Sequence, residues 1–286
     1  ELINYFDTYV KKHNLLEYVR FNSKVKIINK NKYCWNIKFI LNNETLEMNS
    51  RYIAVCSGLF TAPYIPKIES LKHFTGLTYH SSDLIKKNMD KLKDKTILVI
   101  GNGASCSDLI NGLIDDTKHI TILYRTPKWY VRRYVFGISI SFVICNLVLK
   151  ISKMIPDSFF IWLFSFVLSF YFKNSIENPK EKVKYNNLVA DDNFIDYFNK
   201  GRFSMIKGEI KLIDKKLICL KKKDNSSIIN NYDAIVFATG YTQEIKFLGL
   251  KTISKNYNYI INPYIENCGF IGLNPSYNWP QVSYYQ

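Results

Sequence analysis

The sequence predicts an α/β fold in which parallel strands and helices alternate in a doubly wound sheet. The main observation is TILVIGNGASCSD (96–108), where a buried strand leads into two glycines and then an apolar helical run. HITILYR (119–125) follows as a second strand, parallel to the first because such crossovers are right-handed. Two further apolar strands, YIAVCSG (52–58) and YDAIVFATG (232–240), each end at a glycine.

The residues before this unit predict one helix and a small antiparallel sheet. Residues 2–19 have apolar side chains at helical spacing and predict an amphipathic helix. SKVKIINK (23–30), YCWNIKFIL (33–41) and ETLEM (44–48) alternate or follow a polar Asn-Asn turn, which predicts a meander of strands. LFTAPYIPKIES (59–70) contains two prolines and predicts an extended loop.

An apolar segment follows the second strand of the sheet. Residues 135–149 and 158–172 are nearly free of charge, and each run is shorter than the roughly 20 residues of a membrane-spanning helix. They form either a helical hairpin that dips into a membrane or lines an apolar substrate entrance, or two buried helices of an insert. Residues 199–241 then predict strands and turns with a charged hairpin tip at 221–225, and NCGFIGL (267–273) predicts a last short strand.

Composition limits the classes of protein. The 286 residues suffice for one large or two ordinary domains, and the chain begins directly in a helix at Glu1, which suggests a fragment. The net charge of +15 indicates either attraction to a phosphate or an anionic membrane, or a solvated lysine-rich surface. The sequence contains no basic helix interleaved with aromatic residues, so we do not expect nucleic-acid binding. The six scattered cysteines predict no zinc site and no disulfide framework, which fits a reducing compartment.

The glycine turn predicts a dinucleotide site. Gly101 permits the tight turn, and Gly103 lets backbone amides approach a pyrophosphate at the start of the helix. Cys106 replaces the usual third glycine and is small enough for the helix to pack on the strand. The hydroxyl of Ser105 can cap the helix or contact phosphate. The predicted cofactor-binding residues of the turn are Gly101, Asn102, Gly103, Ala104 and Ser105.

The end of the second strand predicts which nucleotide binds. An acidic residue at this place would bind the ribose hydroxyls of NAD, but here the strand ends at Arg125. Lys128, Arg132 and Arg133 follow, and no carboxylate is near in sequence. An arginine can pair with a 2′-phosphate, so we expect NADP(H) rather than NAD(H).

Four motifs in order resemble those of the flavin-containing monooxygenases. FTGLTYHSSDL (74–84) is similar to the fingerprint FxGxxxHxxx(Y/F), except that Leu84 replaces the final aromatic residue. GNGASCSD (101–108) resembles the family's GxGxSxxD motif, and FATGY (237–241) resembles its ATGY motif. FIGL (270–273) is similar to a strand near the end of the flavin domain.

The resemblance implies two nested Rossmann-like dinucleotide-binding domains, with the NADP domain inserted into the FAD domain. Residues 1–92 would belong to the FAD-binding domain, without its GxGxxG turn. Residues 93–231 would form the NADP-binding domain with an apolar helical insert at 134–174. Residues 232–286 would return to the FAD-binding domain, whose C-terminal part is incomplete.

Further cofactor contacts are implied by the resemblance alone. His80 and Ser81 would lie at the linker beside the NADP ribose, while Gly240 and Tyr241 would let the chain pass close to the cofactor. Val25 would contact the adenosine half of FAD. His80 could equally be a histidine at the edge of the core, and Tyr241 could serve only interdomain packing.

The activity that the resemblance implies depends on FAD and NADPH rather than on a catalytic side chain. NADPH would reduce FAD, and the C4a-(hydro)peroxyflavin formed with O₂ would oxygenate a soft nitrogen or sulfur nucleophile or a small keto acid. The alternatives are a Baeyer–Villiger monooxygenase or a non-catalytic NADP-binding module that docks on a membrane through 135–172. The expected location is the cytoplasm, or the surface of the endoplasmic reticulum or another intracellular membrane.

Overall fold

A computed structural model describes residues 2–58, 60–84, 86–135, 137–139, 158, 159, 162, 166, 188–242, 244–250 and 260–272. The chain forms two compact units. Unit 1 comprises Glu1–Ala62 and Gln243–Pro275, and unit 2 comprises Pro63–Thr242 and Ser276–Gln286. The sequence placed domain boundaries at 92/93 and 231/232. The compact units instead divide at 62/63 and 242/243, because a strand before residue 92 and the strand after residue 231 belong to one sheet.

Unit 1 begins with helix α1 (Leu2–Lys12), followed by a 3-10 turn at Leu15–Tyr18. The single helix expected over 2–19 is therefore wrong in length. Asn14, with φ 51° and ψ 40°, lies in the left-handed region, which a continuing helix cannot contain. The periodicity of apolar residues continues through this break and hides it.

The predicted meander is present in unit 1. Strands β1 (Ser23–Lys30), β2 (Trp35–Leu41) and β3 (Glu44–Ser50) pair antiparallel in chain order. The turn between β2 and β3 consists of Asn42 and Asn43, both with positive φ, as a two-residue hairpin requires. The meander is therefore fixed by local turn chemistry.

A second pair of strands completes the described part of unit 1. Strand β4 (Ile53–Val55) pairs in parallel with a distant segment, Cys268–Phe270. Another 3-10 turn covers Lys246–Leu248. The core of the unit is small and consists of Trp35, Val55, Ile245, Cys268 and Phe270.

Unit 2 is built on a seven-stranded sheet. After the short strand β5 (Ala62–Pro63), its members are β6 (Leu77–His80), β7 (Thr96–Ile100), β8 (His119–Tyr124), β13 (Phe203–Asp214), β14 (Leu217–Lys222), β15 (Ser227–Asn231) and β16 (Ala234–Phe237). Their order is β15-β14-β13-β8-β7-β16-β6. The five strands from β13 to β6 run parallel, and β14 and β15 form an antiparallel extension.

Short elements cover the sheet. The helices are α2 (Lys86–Met89), α3 (Ala104–Leu113) and α4 (Phe194–Asn199), and 3-10 turns lie at Glu69–His73, Ser81–Asp83 and Asp90–Leu92. Strand β9 (Trp129–Val131) pairs in parallel with β12 (Leu188–Ala190). The last strands are β17 (Tyr241–Thr242) and β18, the Cys268–Phe270 segment of unit 1. The predicted βαβ unit is present as β7-α3-β8.

Most of the apolar insert lies outside the described residues. Its start is not helical, because β10 (Tyr134–Val135) and β11 (Ile138–Ser139) form an antiparallel pair around Gly137, which has φ +76°. Residues 158, 159, 162 and 166 are helical. No helix in the described ranges is long and apolar enough to cross a membrane.

Candidate functional site

The carboxyl ends of four parallel strands of unit 2 meet at one edge of the sheet. β7 ends at Ile100 before Gly101, and β8 ends at Tyr124 before Arg125. β16 ends before Ala238, and β6 ends at His80. Because β8 lies on one side of β7 and β16 on the other, strand order reverses beside β7. This reversal is where open α/β sheets bind ligands.

The two glycines of the turn have different reasons to be glycine. Gly101 has φ +111°, and a Cβ atom there would overlap the carbonyl oxygen of Ala238. Gly103 has an ordinary φ of −85°, and no heavy atom of the described residues lies within 4 Å of the place its Cβ would take. Gly101 is therefore required by the protein's own backbone, whereas the space beside Gly103 is open to a ligand.

Helix α3 begins at this open space. Gly103 is its N-cap residue, and no side chain caps the helix. The amides of the first turn therefore have no intrahelical partner and carry the positive end of the helix dipole. The hydroxyl of the half-buried Ser105 has no hydrogen-bond partner in the described parts of the chain, so its predicted capping role is not observed.

The residue in place of the third glycine is buried. Cys106 is fully enclosed in the main core of unit 2, and burial raises the pKa of its thiol far above the ordinary value. The thiol therefore stays protonated and unreactive at neutral pH. The five cysteines that the structure describes are all free, and the described residues contain no cluster of metal ligands.

Four cations follow β8, and the structure separates them. Arg132 pairs with Asp196 at 3.2 Å, and Arg133 pairs with Asp108 at 2.7 Å. Lys128 is half-buried, and its desolvation lowers the pKa of the ammonium group. Arg125 is exposed and has no ion-pair partner in the part of the chain that the structure describes. Arg125 is thus the guanidinium left available for a ligand.

The turn is held in place by a buried carboxylate that the sequence analysis did not find. Asp191 is 2% exposed and accepts hydrogen bonds from Ser107 Oγ and Asn111 Nδ2 of α3. Its other oxygen accepts the backbone amides of Asn193 and Phe194 at 2.8 and 2.7 Å. It therefore ties α3 to the start of α4. Its partners in α3 are 80 or more positions away, and no local pattern indicates this contact.

His80 is buried at the edge of the site in a defined tautomer. The backbone amide of Ser82 donates to His80 Nδ1 at 3.2 Å, so Nδ1 carries no proton. The Nε2 atom lies 3.0 Å from the carbonyl oxygen of Gly240 and therefore donates its proton to it. The ring also makes an edge-to-face contact with Tyr241 at 5.2 Å. The structure thus brings together three of the residues predicted near the cofactor, His80, Gly240 and Tyr241.

Ser81 carries the one buried side-chain polar atom, among those described, that has no hydrogen-bond partner. Ser81 directly follows His80 in the chain and begins the 3-10 turn Ser81–Asp83. A buried, unpartnered hydroxyl costs about 1–3 kcal/mol unless a ligand or water satisfies it. Gly240, with φ +81°, has no described atom within 4 Å of its virtual Cβ. Both features fit a polar ligand that approaches the backbone closely.

Val25 belongs to a different unit from these residues. It lies on β1 of unit 1, where its side chain is 38% exposed beside a β-bulge. In the described residues of unit 1, no strand leads through a glycine turn into an α-helix. These described residues therefore do not form a pyrophosphate-binding turn like the one in unit 2.

Known proteins match this chain along most of its length. The model of the family "Flavin-binding monooxygenase-like" matches residues 1–266. Dimethylaniline monooxygenase [N-oxide-forming] 2 of Cavia porcellus is 25% identical over 293 residues, which cover 93% of this chain and 52% of the relative. The probable indole-3-pyruvate monooxygenase YUCCA10 of Arabidopsis thaliana is 25% identical, covering 85% of this chain and 63% of that protein.

A solved structure shares the fold. Cyclohexanone monooxygenase with bound epsilon-caprolactone superimposes with a TM-score of 0.69 at 14% identity, covering 94% of this chain and 66% of that one. At this identity the likeness shows the fold alone, namely the Rossmann-like α/β arrangement. The chain spans about half the length of the Cavia relative and less than two thirds of YUCCA10. The chain belongs to the flavin-binding monooxygenase-like family.

Proposed function

We propose that this chain is part of an NADPH-dependent flavin monooxygenase that adds one oxygen atom from O₂ to a small-molecule substrate. The observation that carries the proposal is the carboxyl edge of the unit 2 sheet. There the open space beside Gly103, the uncapped start of α3 and Arg125, which has no ion pair among the described residues, lie at the ends of neighbouring strands β7 and β8. An anion-binding helix end beside an available guanidinium suits a dinucleotide that carries a 2′-phosphate.

The residues of this edge fit NADPH in three parts. The amides from Gly103 to Ser105, with Asn102 and Ala104 in the same turn, would hold the pyrophosphate. Arg125 would pair with the 2′-phosphate. His80, Ser81, Gly240 and Tyr241 would lie along the ribose and nicotinamide half, where the unpartnered Ser81 hydroxyl gains an acceptor or donor.

Flavin would supply the redox and oxygen-transfer chemistry when bound. The family's name supports this cofactor. Val25 remains the residue proposed beside its adenosine half, and no step is assigned to it. We propose residues 1–92 and 232–286 as parts of the FAD domain and 93–231 as the NADP domain. The main role of this chain is then to bind and orient the nucleotide and to exclude water from it.

His80 acts in this proposal as an orienting group rather than an acid or base. Its Nδ1 lone pair is occupied by the Ser82 amide, and its Nε2 proton is donated to the Gly240 carbonyl. Both ring nitrogens thus already contact groups of the protein itself. The imidazole instead links the end of β6 to the glycine that follows β16.

The substrate classes rest on the relatives. The Cavia relative is named for N-oxide formation, which supports a soft nitrogen nucleophile. A sulfur nucleophile is proposed from the motif resemblance alone. YUCCA10 is named for indole-3-pyruvate, which supports a small keto acid. A Baeyer–Villiger oxidation remains the alternative reaction that the motif resemblance leaves open. Leu84, which replaces the aromatic residue of the fingerprint, counts against the Baeyer–Villiger alternative.

The test uses the full-length protein with its co-purified flavin. We expect NADPH to bleach the flavin in air much faster than NADH does, with oxygen consumed. Arg125→Ala should weaken NADPH binding about ten- to a hundredfold and leave NADH binding nearly unchanged, since it removes one charge-assisted pair. Arg132→Ala is the matched control, because Arg132 already pairs with Asp196.

Two results would contradict the proposal. If Arg125→Ala weakens NADPH and NADH binding equally, the 2′-phosphate assignment is wrong. If the full-length protein binds NADP⁺ but holds no flavin and consumes no oxygen with NADPH, the non-catalytic module takes the place of the enzyme.

A membrane-docking role is a second proposal and rests on exposed aromatic side chains. Phe159, Trp162 and Phe166 are 49%, 49% and 58% exposed, and their rings contact one another in sequence at 5.8 Å. Their spacing places them along one side of a helix, and aromatic rings suit the interface of a bilayer. With the net charge of +15, this supports docking of 135–172 on an anionic intracellular membrane, with the protein in the cytoplasm or at the endoplasmic reticulum.

Vesicles test this second proposal. The full-length protein should sediment with vesicles of phosphatidylcholine and phosphatidylserine, and Trp162→Ser should weaken that binding several-fold. Tyr33→Ser is the matched control, since Tyr33 is an exposed aromatic residue of unit 1. Protein that stays in the supernatant with anionic vesicles would rule out docking.

A further inference from the structure

Asn102, between the two glycines of the turn, has an unusual set of contacts for a loop residue. It is 6% exposed, and its side-chain amide donates to the carbonyl oxygen of Thr126 at 3.0 Å. Its backbone carbonyl oxygen accepts a hydrogen bond from the hydroxyl of Tyr130 at 3.0 Å. One residue of the phosphate-binding turn is thus bonded twice to the segment that follows β8.

These bonds fix the backbone on both sides of Arg125. The amide of Gly101 donates to the carbonyl of Leu123 at 2.9 Å, two residues before the arginine. The Asn102 side chain holds the carbonyl of Thr126, the residue directly after it. Arg125 therefore lies between two carbonyl groups that are both held by the glycine turn.

The Tyr130 end of this arrangement is rigid. Tyr130 is 1% exposed, and its ring is stacked on Phe194 with centroids 4.1 Å apart and planes 7° from parallel. The Phe194 amide is itself bound by the buried Asp191. Burial is the main cause that raises the pKa of the Tyr130 phenol well above its usual value, so the hydroxyl keeps the proton it donates.

We infer that Asn102 is a positioning residue that sets the preference for a nucleotide with a 2′-phosphate, by holding the Arg125 segment at a fixed place relative to the phosphate-binding turn. This inference rests on the proposed NADP site. The pyrophosphate is bound by the turn and the helix start, whereas the 2′-phosphate is bound by Arg125. A ligand can use both only if the two parts are held in register, and Asn102 is the side chain that joins them.

The effect of its loss follows from this division. Without the amide, the Arg125 segment must be ordered when the nucleotide binds, and this ordering costs conformational entropy. We therefore expect Asn102→Ala to weaken NADP⁺ binding about tenfold. NAD⁺ does not use Arg125, so its affinity should change by less than about twofold.

The experiment is calorimetric titration of the full-length protein with NADP⁺ and with NAD⁺. The ratio of the two affinities within one sample is independent of how much of the protein is folded. Arg125→Ala and the double variant with Asn102→Ala complete a mutant cycle. If Asn102 acts through Arg125, the double variant has the ratio of Arg125→Ala alone. Asn230→Ala is the matched control, because it removes a side-chain amide hydrogen bond on β15.

Tyr130→Phe gives a second, milder variant if Asn102→Ala does not fold. It removes the hydroxyl that holds the Asn102 carbonyl and should lower the same ratio about threefold. An unchanged ratio in Asn102→Ala, or in Tyr130→Phe if that is the folded variant, overturns the inference and leaves the Arg125 assignment intact. A wild-type protein with no preference for NADP⁺ overturns the NADP proposal and the inference together.

Discussion

In unit 2, all four residues of β16 and five of the six residues of β8 are buried, as expected for parallel strands covered on both faces. In unit 1, the described side chains of α1 are exposed or at most half-buried, including Ile3, Tyr5 and Phe6. The sequence pattern predicted an element at each of these three places. Periodicity therefore identifies an element but does not indicate how much of its apolar face the described chain covers.

The same difference applies to chemistry. The carboxyl edge of unit 2 is fixed by a buried sheet and by buried polar groups such as Asp191 and Asn102. In unit 1, Val25, the residue proposed beside FAD, lies half exposed on a strand of the meander. The candidate site of unit 2 is therefore defined by specific hydrogen bonds, whereas the role of Val25 in unit 1 rests on the resemblance alone.

The largest effect expected from this comparison is on stability. Ile110→Ala in α3 should lower the free energy of unfolding by about 3 kcal/mol, because Ile110 is fully enclosed in the main core. Phe6→Ala in α1 should change it by less than about 0.5 kcal/mol, since Phe6 is 55% exposed.

Urea unfolding of the two variants measures this difference. An equal loss of stability in Phe6→Ala would show that the apolar face of α1 is covered in the folded full-length protein. A small loss in Ile110→Ala would mean that the core of unit 2 relaxes around the missing atoms.

Sequence reasoning succeeded where the controlling interactions are local. The strand expected at TILVIG is present as β7 without its last residue, SKVKIINK matches β1, and the Asn-Asn turn lies where the polar pair predicted it. Each of these depends on neighbours within a few positions, either through alternation of side chains or through positive φ in a two-residue turn.

The failures involve partners far apart in the chain. Asn102 meets Thr126, 24 positions away, and Ser107 meets Asp191, 84 positions away, without any shared pattern. The placement of β6 beside β16 depends on pairing across more than 150 residues, which no local pattern indicates. The motif at 74–84 drew attention to His80 but could not show its tautomer or its contact with Gly240.

The next prediction compares the two glycines of the turn. Gly101→Ala should lower the free energy of unfolding by about 2 kcal/mol, because its φ of +111° disfavours alanine and the methyl group would overlap the Ala238 carbonyl. Gly103→Ala should cost less than about 1 kcal/mol, the usual range for an N-cap change. Its methyl group would instead enter the space left for the nucleotide and weaken NADP⁺ binding at least about tenfold.

Thermal unfolding and NADP⁺ titration of both variants separate the two roles. Unchanged nucleotide binding in Gly103→Ala would show that the open space is not used by the ligand. A Gly101→Ala protein as stable as the wild type would show that the turn can shift away from β16.

The smallest expected effect contrasts one ion pair from each unit. Asp233 accepts the Lys216 ammonium at 2.7 Å and the Thr96 amide at 3.1 Å, and these bonds, led by Lys216, hold the pKa of its carboxyl below the ordinary value. In unit 1, Lys30 pairs with Glu266 at 2.9 Å, and this bond also lowers the pKa of Glu266, but the glutamate side chain is 83% exposed. Two pairs of similar length thus differ in solvent screening and in backbone hydrogen bonding.

The pH dependence of stability follows from the direction of these shifts. A carboxyl whose folded pKa is depressed stabilises the fold above its unfolded pKa, about 3.9 for aspartate, and loses that contribution as pH falls through the folded value. Asp233→Asn should therefore cost about 1 kcal/mol at pH 7 and progressively less below about pH 4. Glu266→Gln should leave stability unchanged at both pH values, because an exposed pair is screened by solvent. Denaturation curves recorded at pH values from about 2.5 to 7, a range that includes the ordinary pKa of aspartate, measure this difference. If the free energy of unfolding of Asp233→Asn depends on pH as that of the wild type does, the Lys216 and Thr96 bonds form without stabilising the sheet.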